Sequence, residues 1–265
     1  MTQNVWESYM KPFRILGNLY FVGTKLASSH LIDTGCGLIL IDTGYPETLY
    51  LLLDGIYRLG FSPNEIKYIL HSHGHIDHIG GTRYLAELTG AKTFIGGQDA
   101  AAVTGRQNLT FAEELGMTFR EPFQPDFLLG DGDTVRLGNT AVRCVHTPGH
   151  TQGTMSFFFD LSENGKTYRA GMHGGSGTNT LERTYLEQHG LPPSLRGAFR
   201  ASLEKLKDER VDVFIGNHPE QCDTIGRFER IRNGETDAFI DPKAWGAFLD
   251  GCATRLDDLL EAEAT

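Results

Sequence analysis

The sequence predicts an α/β protein built as two facing sheets with helices on the outside. Short apolar runs alternate with longer amphipathic stripes, this order occurs twice along the 265 residues, and no Pro/Ser-rich joint separates the two occurrences. A single domain over residues 1–265 accounts for that pattern. Hydrophobic residues make up 40% and charged residues 22%, enough to bury a sizeable core, which excludes disorder, collagen-like repeats and a disulfide-stapled class.

Residues 6–21 mix aromatics with Pro12 and Gly17 and read as an arm leading into short strands. Apolar runs at 19–23, 28–32 and 37–41, broken by Gly or Asp-Thr-Gly, predict an antiparallel meander. Pro46 permits a helix start; Leu49, Leu52, Leu53, Ile56 and Leu59 then recur at helical spacing until Gly60 ends the pattern. Residues 67–70 predict a buried strand running straight into a histidine cluster, and 82–89 a helix after it. Residues 98–125 contain Gly105, Gly116 and Pro122 and read as an irregular insertion. Strands resume at 127–137, 141–146 and 154–160, with Gly130, Gly138 and Gly149 at the turns, and again at 166–172. Leu195, Phe199, Leu203 and Leu206 form a helical stripe ahead of a strand at 211–215. Trp245, Phe248, Leu249, Cys252, Leu256, Leu259 and Leu260 mark a final amphipathic helix whose stripe reads as core.

Lys and Arg total 24 against 34 Asp and Glu, a formal net charge of −10, and no long basic block exists. Nucleic acid and anionic membrane are therefore not expected as partners, which leaves a small-molecule substrate. No apolar stretch approaches the roughly eighteen residues of a membrane span. The first thirty residues lack a basic segment, apolar run and small-residue cleavage site, so a cytoplasmic location is expected. Cys36, Cys144, Cys222 and Cys252 form no CxxC pair; a Cys222–Cys252 disulfide stays open, with buried thiols in a reducing cytoplasm as the expected state. The oligomeric state is not readable.

The chemistry concentrates in Leu-His-Ser-His-Gly-His-Ile-Asp-His-Ile-Gly-Gly from Leu70 onward, which contains H-x-H-x-D-H as His73, His75, Asp77 and His78. In a short turn alternate residues point the same way, so His73 and His75 can grip one ion while Asp77 and His78 face a second. Two separated histidines complete the set: His150 in Thr-Pro-Gly-His-Thr and His218 in Gly-Asn-His-Pro-Glu, each just after a predicted strand. The expected sites are His73, His75 and His150 for one metal, and Asp77, His78 and His218 for the other. Three protein donors per ion leave a position open, as catalytic zinc requires; the same donors also accept iron or manganese.

These motifs resemble the metallo-beta-lactamase superfamily over nearly the whole chain. Pro-Phe-Arg-Ile-Leu-Gly-Asn-Leu-Tyr-Phe-Val-Gly, Leu-Ile-Leu-Ile-Asp-Thr-Gly, the histidine segment and Asp-Gly-Asp-Thr-Val-Arg-Leu-Gly are most similar to the third subclass of class B beta-lactamases. The resemblance implies an αβ/βα four-layer sandwich of the metallo-beta-lactamase type and a hydrolase with two Zn²⁺ on the sites above. Most superfamily hydrolases, glyoxalase II and the processing nucleases included, carry a metal-bridging Asp where Met172 stands here. The beta-lactamase subclass has Ser there, so Met172 weighs against a thiolesterase or nuclease more than against a lactamase.

The expected reaction is attack by a hydroxide shared between the metals on the cyclic amide of a carboxylate-bearing substrate, with Asp77 both ligating and relaying the proton. Two zinc ions outweigh the local negative charge, which favours an anionic substrate. The resemblance places substrate-carboxylate contacts in the polar loop of Ser176, Thr178 and Asn179. A cytoplasmic lactone or ester hydrolase on the same site is the alternative, and an iron-binding redox member a further one. His71 reads as a packed neighbour of the site, His173 as a loop residue able to approach the metals, and Asp42 as either a turn cap or a support for a ligand. His30, His146 and His189 have no motif context.

Overall fold

The computed structural model describes residues 5–264. After a 3-10 turn at Val5–Ser8, the strands β1 (Phe13–Leu16), β2 (Leu19–Phe21), β3 (His30–Asp33) and β4 (Leu38–Ile41) each run antiparallel to the one before. The last three form the expected meander, and β1 adds a strand inside the segment read as an arm. Strands β5 (Ile66–Leu70), β6 (Lys92–Gly96) and β7 (Phe127–Leu129) then add in parallel, completing a seven-stranded sheet in chain order among the described residues. A parallel neighbour cannot be reached by a tight turn. Helix α1 (Leu49–Arg58), the single turn α2 (Ile76–Ile79) with α3 (Thr82–Thr89), and the stretch holding α4 (Ala100–Val103) supply the three crossovers.

The second sheet holds β8 (Thr134–Leu137), β9 (Thr140–His146), β10 (Met155–Glu163) and β11 (Lys166–Met172), all antiparallel, with β12 (Val213–Phe214) parallel to β11 at its edge. Helices α5 (Arg183–Gln188) and α6 (Ser194–Leu206) bridge β11 to β12, and α7 (Thr224–Arg232) and α8 (Ala244–Ala264) close the chain.

Residues 127–137 are not one strand, as their apolar run suggests, but two in different sheets: β7 pairs with β6, and β8 pairs with β9. The turn between them is built by the Asp133 carboxylate, which accepts the Gly130 N–H at 2.7 Å, and by Gly132 at φ +82°. Here the chain passes from one sheet to the other. Strand β6 escapes the sequence reading because its run is short and begins at an exposed Lys92.

Strand β4 explains the layering. Ile39 and Ile41 point into the cluster between the sheets, with Phe21, Ile32, Leu70, Cys144 and Phe157, whereas Leu38 and Leu40 point outward against Leu52 and Ile56 of α1 and Leu85 of α3. A strand apolar at every position is one covered on both faces. The same holds for Phe157, Phe158 and Phe159 of β10; Phe158 meets Trp245 of α8 with ring centroids 5.7 Å apart. Trp245 donates its indole N–H to the Leu206 carbonyl at 3.1 Å, fastening α8 to α6. The order is helix, sheet, sheet, helix, the four layers expected.

Candidate metal centre

All six histidine and aspartate candidates come together at one end of the sandwich. Beyond β5 the chain turns through His71-Ser72-His73-Gly74-His75 into α2, which carries Asp77 and His78. His150 arrives on the loop between β9 and β10, and His218 on the turn after β12. Ring centroids of His73, His75 and His150 form a nearly equal triangle with sides of 4.5, 4.6 and 4.7 Å. In the second group, the Nε2 atoms of His78 and His218 stand 3.2 Å apart, and Asp77 Oδ2 lies 3.3 Å from the first and 3.5 Å from the second. His73 sits between the groups, its ring 4.3 Å from that of His78.

Hydrogen bonds fix the tautomers. Nδ1 of His73 faces the Gly174 carbonyl at 2.7 Å, Nδ1 of His150 the Gly177 carbonyl at 2.9 Å, Nδ1 of His218 the Leu26 carbonyl at 2.7 Å, and Nδ1 of His78 the Asp42 carboxylate at 2.9 Å. These oxygens only accept, so each Nδ1 carries a proton and each Nε2 is turned to the centre. Nε2 of His73 is buried without any hydrogen-bond partner.

Electrostatics divide the two groups. Burial pushes His150 down to about 4 and holds His73 and His75 well below the usual histidine range, with neighbouring imidazoles adding to the effect. These rings stay neutral. Burial also opposes a charge on His78, but Asp77 and Asp42 outweigh it and raise its pKa; the same contacts hold Asp77 far below an ordinary carboxylate. Positive charge is wanted beside Asp77, and neutral nitrogen donors are ready beside it.

Two supporting carboxylates matter. Asp42, at φ +60°, accepts from Ser72 N at 2.7 Å, Ser72 Oγ at 2.6 Å and His78 Nδ1 at 2.9 Å, so it orients a candidate ligand directly. Asp99 was invisible in the sequence, lying in the segment read as an irregular insertion. It is buried and accepts from Gly74 N at 2.8 Å, Gly153 N at 2.7 Å and Thr151 Oγ1 at 2.7 Å, tying the His73–His75 turn to the His150 loop. Desolvation raises its pKa, against those bonds. Gly175 allows the loop after β11 to lie on His150: a Cβ there would stand 2.5 Å from His150 Cδ2.

The remaining candidates separate cleanly. His71 uses both ring nitrogens, on the Phe94 carbonyl at 2.9 Å and Thr82 Oγ1 at 2.7 Å, and is the packed neighbour expected. Met172 is buried in the core opposite Phe157, and His173 turns towards Phe199 and Phe248. His189 pairs with Glu114, and His146 bonds the Gln152 carbonyl, both away from the cluster. Cys36, Cys144, Cys222 and Cys252 are free thiols. Ser176 and Asn179 line a cavity of about 780 Å³ whose floor is His73, His75, Asp77, His150 and His218. Its far wall is α8, through Ala244, Ala247, Phe248, Gly251 and Arg255. The apolar stripe of that helix is core as expected, with Trp245, Leu249, Cys252 and Leu256 buried and Phe248, Leu259 and Leu260 packed against them; the neighbouring face, rich in Ala and Gly, gave no apolar signal.

The sequence profile described as the metallo-beta-lactamase superfamily matches residues 22–218. The chain belongs to the metallo-beta-lactamase superfamily. BJP-1 of Bradyrhizobium japonicum, a subclass B3 metallo-beta-lactamase, shares 27% identity at a TM-score of 0.89, covering 100% of this chain and 98% of that one. FEZ-1 of Legionella gormanii, a metallo-beta-lactamase, shares 30% at a TM-score of 0.89, covering 97% and 98%. The class B3 di-zinc metallo-beta-lactamase LRA-12 from an Alaskan soil metagenome shares 26% at a TM-score of 0.84, covering 98% of each. Matches to the first curated relatives are shorter, spanning 42 to 61% of the relative's length. The superfamily match and the subclass B3 metallo-beta-lactamase neighbour agree on the fold that carries the histidine and aspartate cluster. Among the described residues no helix is long and apolar enough to cross a membrane.

Proposed function

We propose that this chain, acting as one unit, is a zinc-dependent hydrolase that opens the cyclic amide of a small, carboxylate-bearing substrate. One observation carries the metal reading. Asp77 Oδ2, His78 Nε2 and His218 Nε2 lie 3.2, 3.3 and 3.5 Å from one another, two of them imidazole nitrogens facing each other. A tetrahedral ion with bonds of about 2.0–2.1 Å sets its ligands roughly 3.3 Å apart, so the donors fit zinc in distance as well as in type.

His73, His75 and His150 would hold one ion and Asp77, His78 and His218 the other, with the His73 ring 4.3 Å from that of His78 keeping the two sets close. Bound zinc supplies Lewis acidity: it polarises a carbonyl and brings the pKa of water towards about 7. The chain does the rest. Asp77 presents an ionised carboxylate at the cavity floor, an acceptor that orients water and takes a proton at Oδ. Asp42 and the Gly174, Gly177 and Leu26 carbonyls fix the imidazole planes. Phe111, its ring tilted against that of His75 at 5.2 Å between centroids, joins Leu115 and Phe248 as the apolar part of the cavity lining. Ser176 and Asn179 stand on its wall and supply polar groups to the substrate's carboxylate-bearing side in this reading. The four free cysteines suit a reducing compartment such as the cytoplasm.

The test combines elemental analysis with turnover of nitrocefin, a carbapenem and a panel of lactones and esters by the same zinc-loaded sample. Two zinc ions per chain and chelator-sensitive lactam opening are expected. Lactam turnover that survives chelation, or lactone cleavage with no lactam opening at full metal loading, overturns the proposal.

A further inference from the structure

Arg255, on the last helix, is the one Lys or Arg side chain on the wall of the active-site cavity among the described residues. From the structure we infer that it is the charged anchor for the substrate's carboxylate. This deepens the proposed function and rests on it for the location of the substrate.

The placement follows from helix geometry. At about 100° per residue, Ala244, Ala247, Phe248, Gly251 and Arg255 fall on one face of α8, next to the face that buries Trp245, Leu249, Cys252 and Leu256. Three small residues open the cavity along the helix, and Arg255 stands at the end of that open stripe. A Cβ placed on Gly251 would meet Arg255 Nη1 at 3.6 Å, so the guanidinium folds back along the stripe.

Its hydrogen-bonding capacity is largely unspent. Arg255 Nη2 donates to Cys252 Sγ at 3.0 Å, a weak acceptor, and Arg255 has no ion pair among the described residues. Gly251 and Leu259 occupy the positions four residues before and after it, so the helix offers no carboxylate at that spacing. Of the acids that follow it on the helix, Asp257 binds Arg200, and Asp258, three residues on, forms no ion pair with Arg255 among the described residues. The guanidinium thus keeps most of its five N–H donors free on the wall, suited to a bidentate carboxylate.

The position relative to the floor is also right. Cys252 links Arg255 to Ser176, whose hydroxyl accepts from Gln221 Nε2 at 3.1 Å. Ser176 is the neighbour of Gly177, the residue that orients His150. A substrate spanning from the histidines to α8 would therefore meet Ser176 on the way and Arg255 at its far end. In a chain of formal charge −10, with Asp77 and Glu220 on the same wall, a single unpaired cation is what makes an anion welcome at that point.

The test uses Arg255→Met, which keeps the stem, and Arg255→Lys, on zinc-loaded protein with metal content and melting temperature recorded for each. The binding probe is ring-opened benzylpenicillin, titrated calorimetrically without turnover; the kinetic probes are benzylpenicillin and its methyl ester. Arg255→Met should weaken the acid and raise KM for benzylpenicillin about 10-fold, with kcat within about twofold and the ester unaffected, and Arg255→Lys should recover part of the loss. Wild-type affinity in Arg255→Met, or equal weakening of acid and ester, overturns the anchor. If the acid binds in an Arg255-dependent way and no lactam is opened, the anchor stands and the proposed activity falls. If lactams are opened with a KM indifferent to Arg255, the activity stands and the anchor falls.

Discussion

Replacing Asp42 by Asn should loosen one metal position and leave the other nearly intact. In the native arrangement Oδ2 accepts from Ser72 Oγ and His78 Nδ1, and Oδ1 accepts from Ser72 N, all within 2.9 Å. An amide has a single oxygen. If that oxygen serves His78, the new NH₂ confronts the Ser72 N–H; if it serves Ser72, it confronts His78. One bond is lost and the charge that makes the others strong disappears. A hydrogen bond to a charged group is worth about 1.5–3 kcal/mol, which corresponds to roughly 10- to 150-fold in affinity. Asn tolerates the left-handed backbone that Asp42 adopts at φ +60°, so strain is not the variable. Competition against a chromophoric chelator at neutral pH resolves the two zinc affinities. The weaker-bound ion of Asp42→Asn should sit in the Asp77, His78 and His218 group, with the other changed less than about threefold. Equal weakening of both ions, or no weakening, would refute the assignment of Asp42 to the orientation of His78.

Other expectations follow from single contacts. Gly175→Ala places a Cβ 2.5 Å from His150 Cδ2, and the shift should cost turnover about 100-fold while the fold survives by circular dichroism; full activity would show the loop can yield. Asp99→Ala strands Gly74 N–H and Gly153 N–H and leaves the Thr151 hydroxyl only Thr154, and should destabilise by about 2–4 kcal/mol in urea titrations, where a loss below about 0.5 kcal/mol would contradict its role as a tie. His30 is held down to about 4 by burial, against the pull of Asp42, so the unfolded chain takes up a proton that the folded chain refuses. Stability of chelated protein should thus be full above about pH 6.5 and decline towards pH 4, by up to about 1.4 kcal/mol per pH unit from this group. His30→Gln should make that decline shallower; an unchanged slope would clear His30 of the effect. His218→Ala should halve the zinc content by elemental analysis, and retention of both ions would remove it from the ligand set.

The fold was legible wherever a strand is buried on both faces or a helix carries a strong apolar stripe, as in β4, β10, α1 and α6. It was lost where tertiary pairing overrides a local run. Residues 127–137 look continuous, but the Asp133 turn sends the two ends to different sheets. Short elements with polar starts, such as β6 and α5, carry too little periodicity to be seen. At the site, the histidines and Asp77 announce themselves by spacing, whereas their supports do not. Asp42 shows as a turn residue until His78 is placed beside it in space, and Asp99 acts across 52 and 54 residues on Thr151 and Gly153. The cavity wall on α8 is made by Ala and Gly, residues whose contribution is the space they leave.

That last face has a consequence for how such an enzyme could change its taste. The histidines and their supports are held by both sheets, whereas Ala244, Ala247 and Gly251 belong to a terminal helix anchored by its other side through Trp245, Leu249 and Leu256. Bulk added at Gly251 would meet only Arg255 Nη1 within 4 Å, so the room for the guest can be resized without moving the reactive end. Selection acting on this helix would trade one guest for another by single codon changes, leaving the histidine and aspartate cluster inherited and intact.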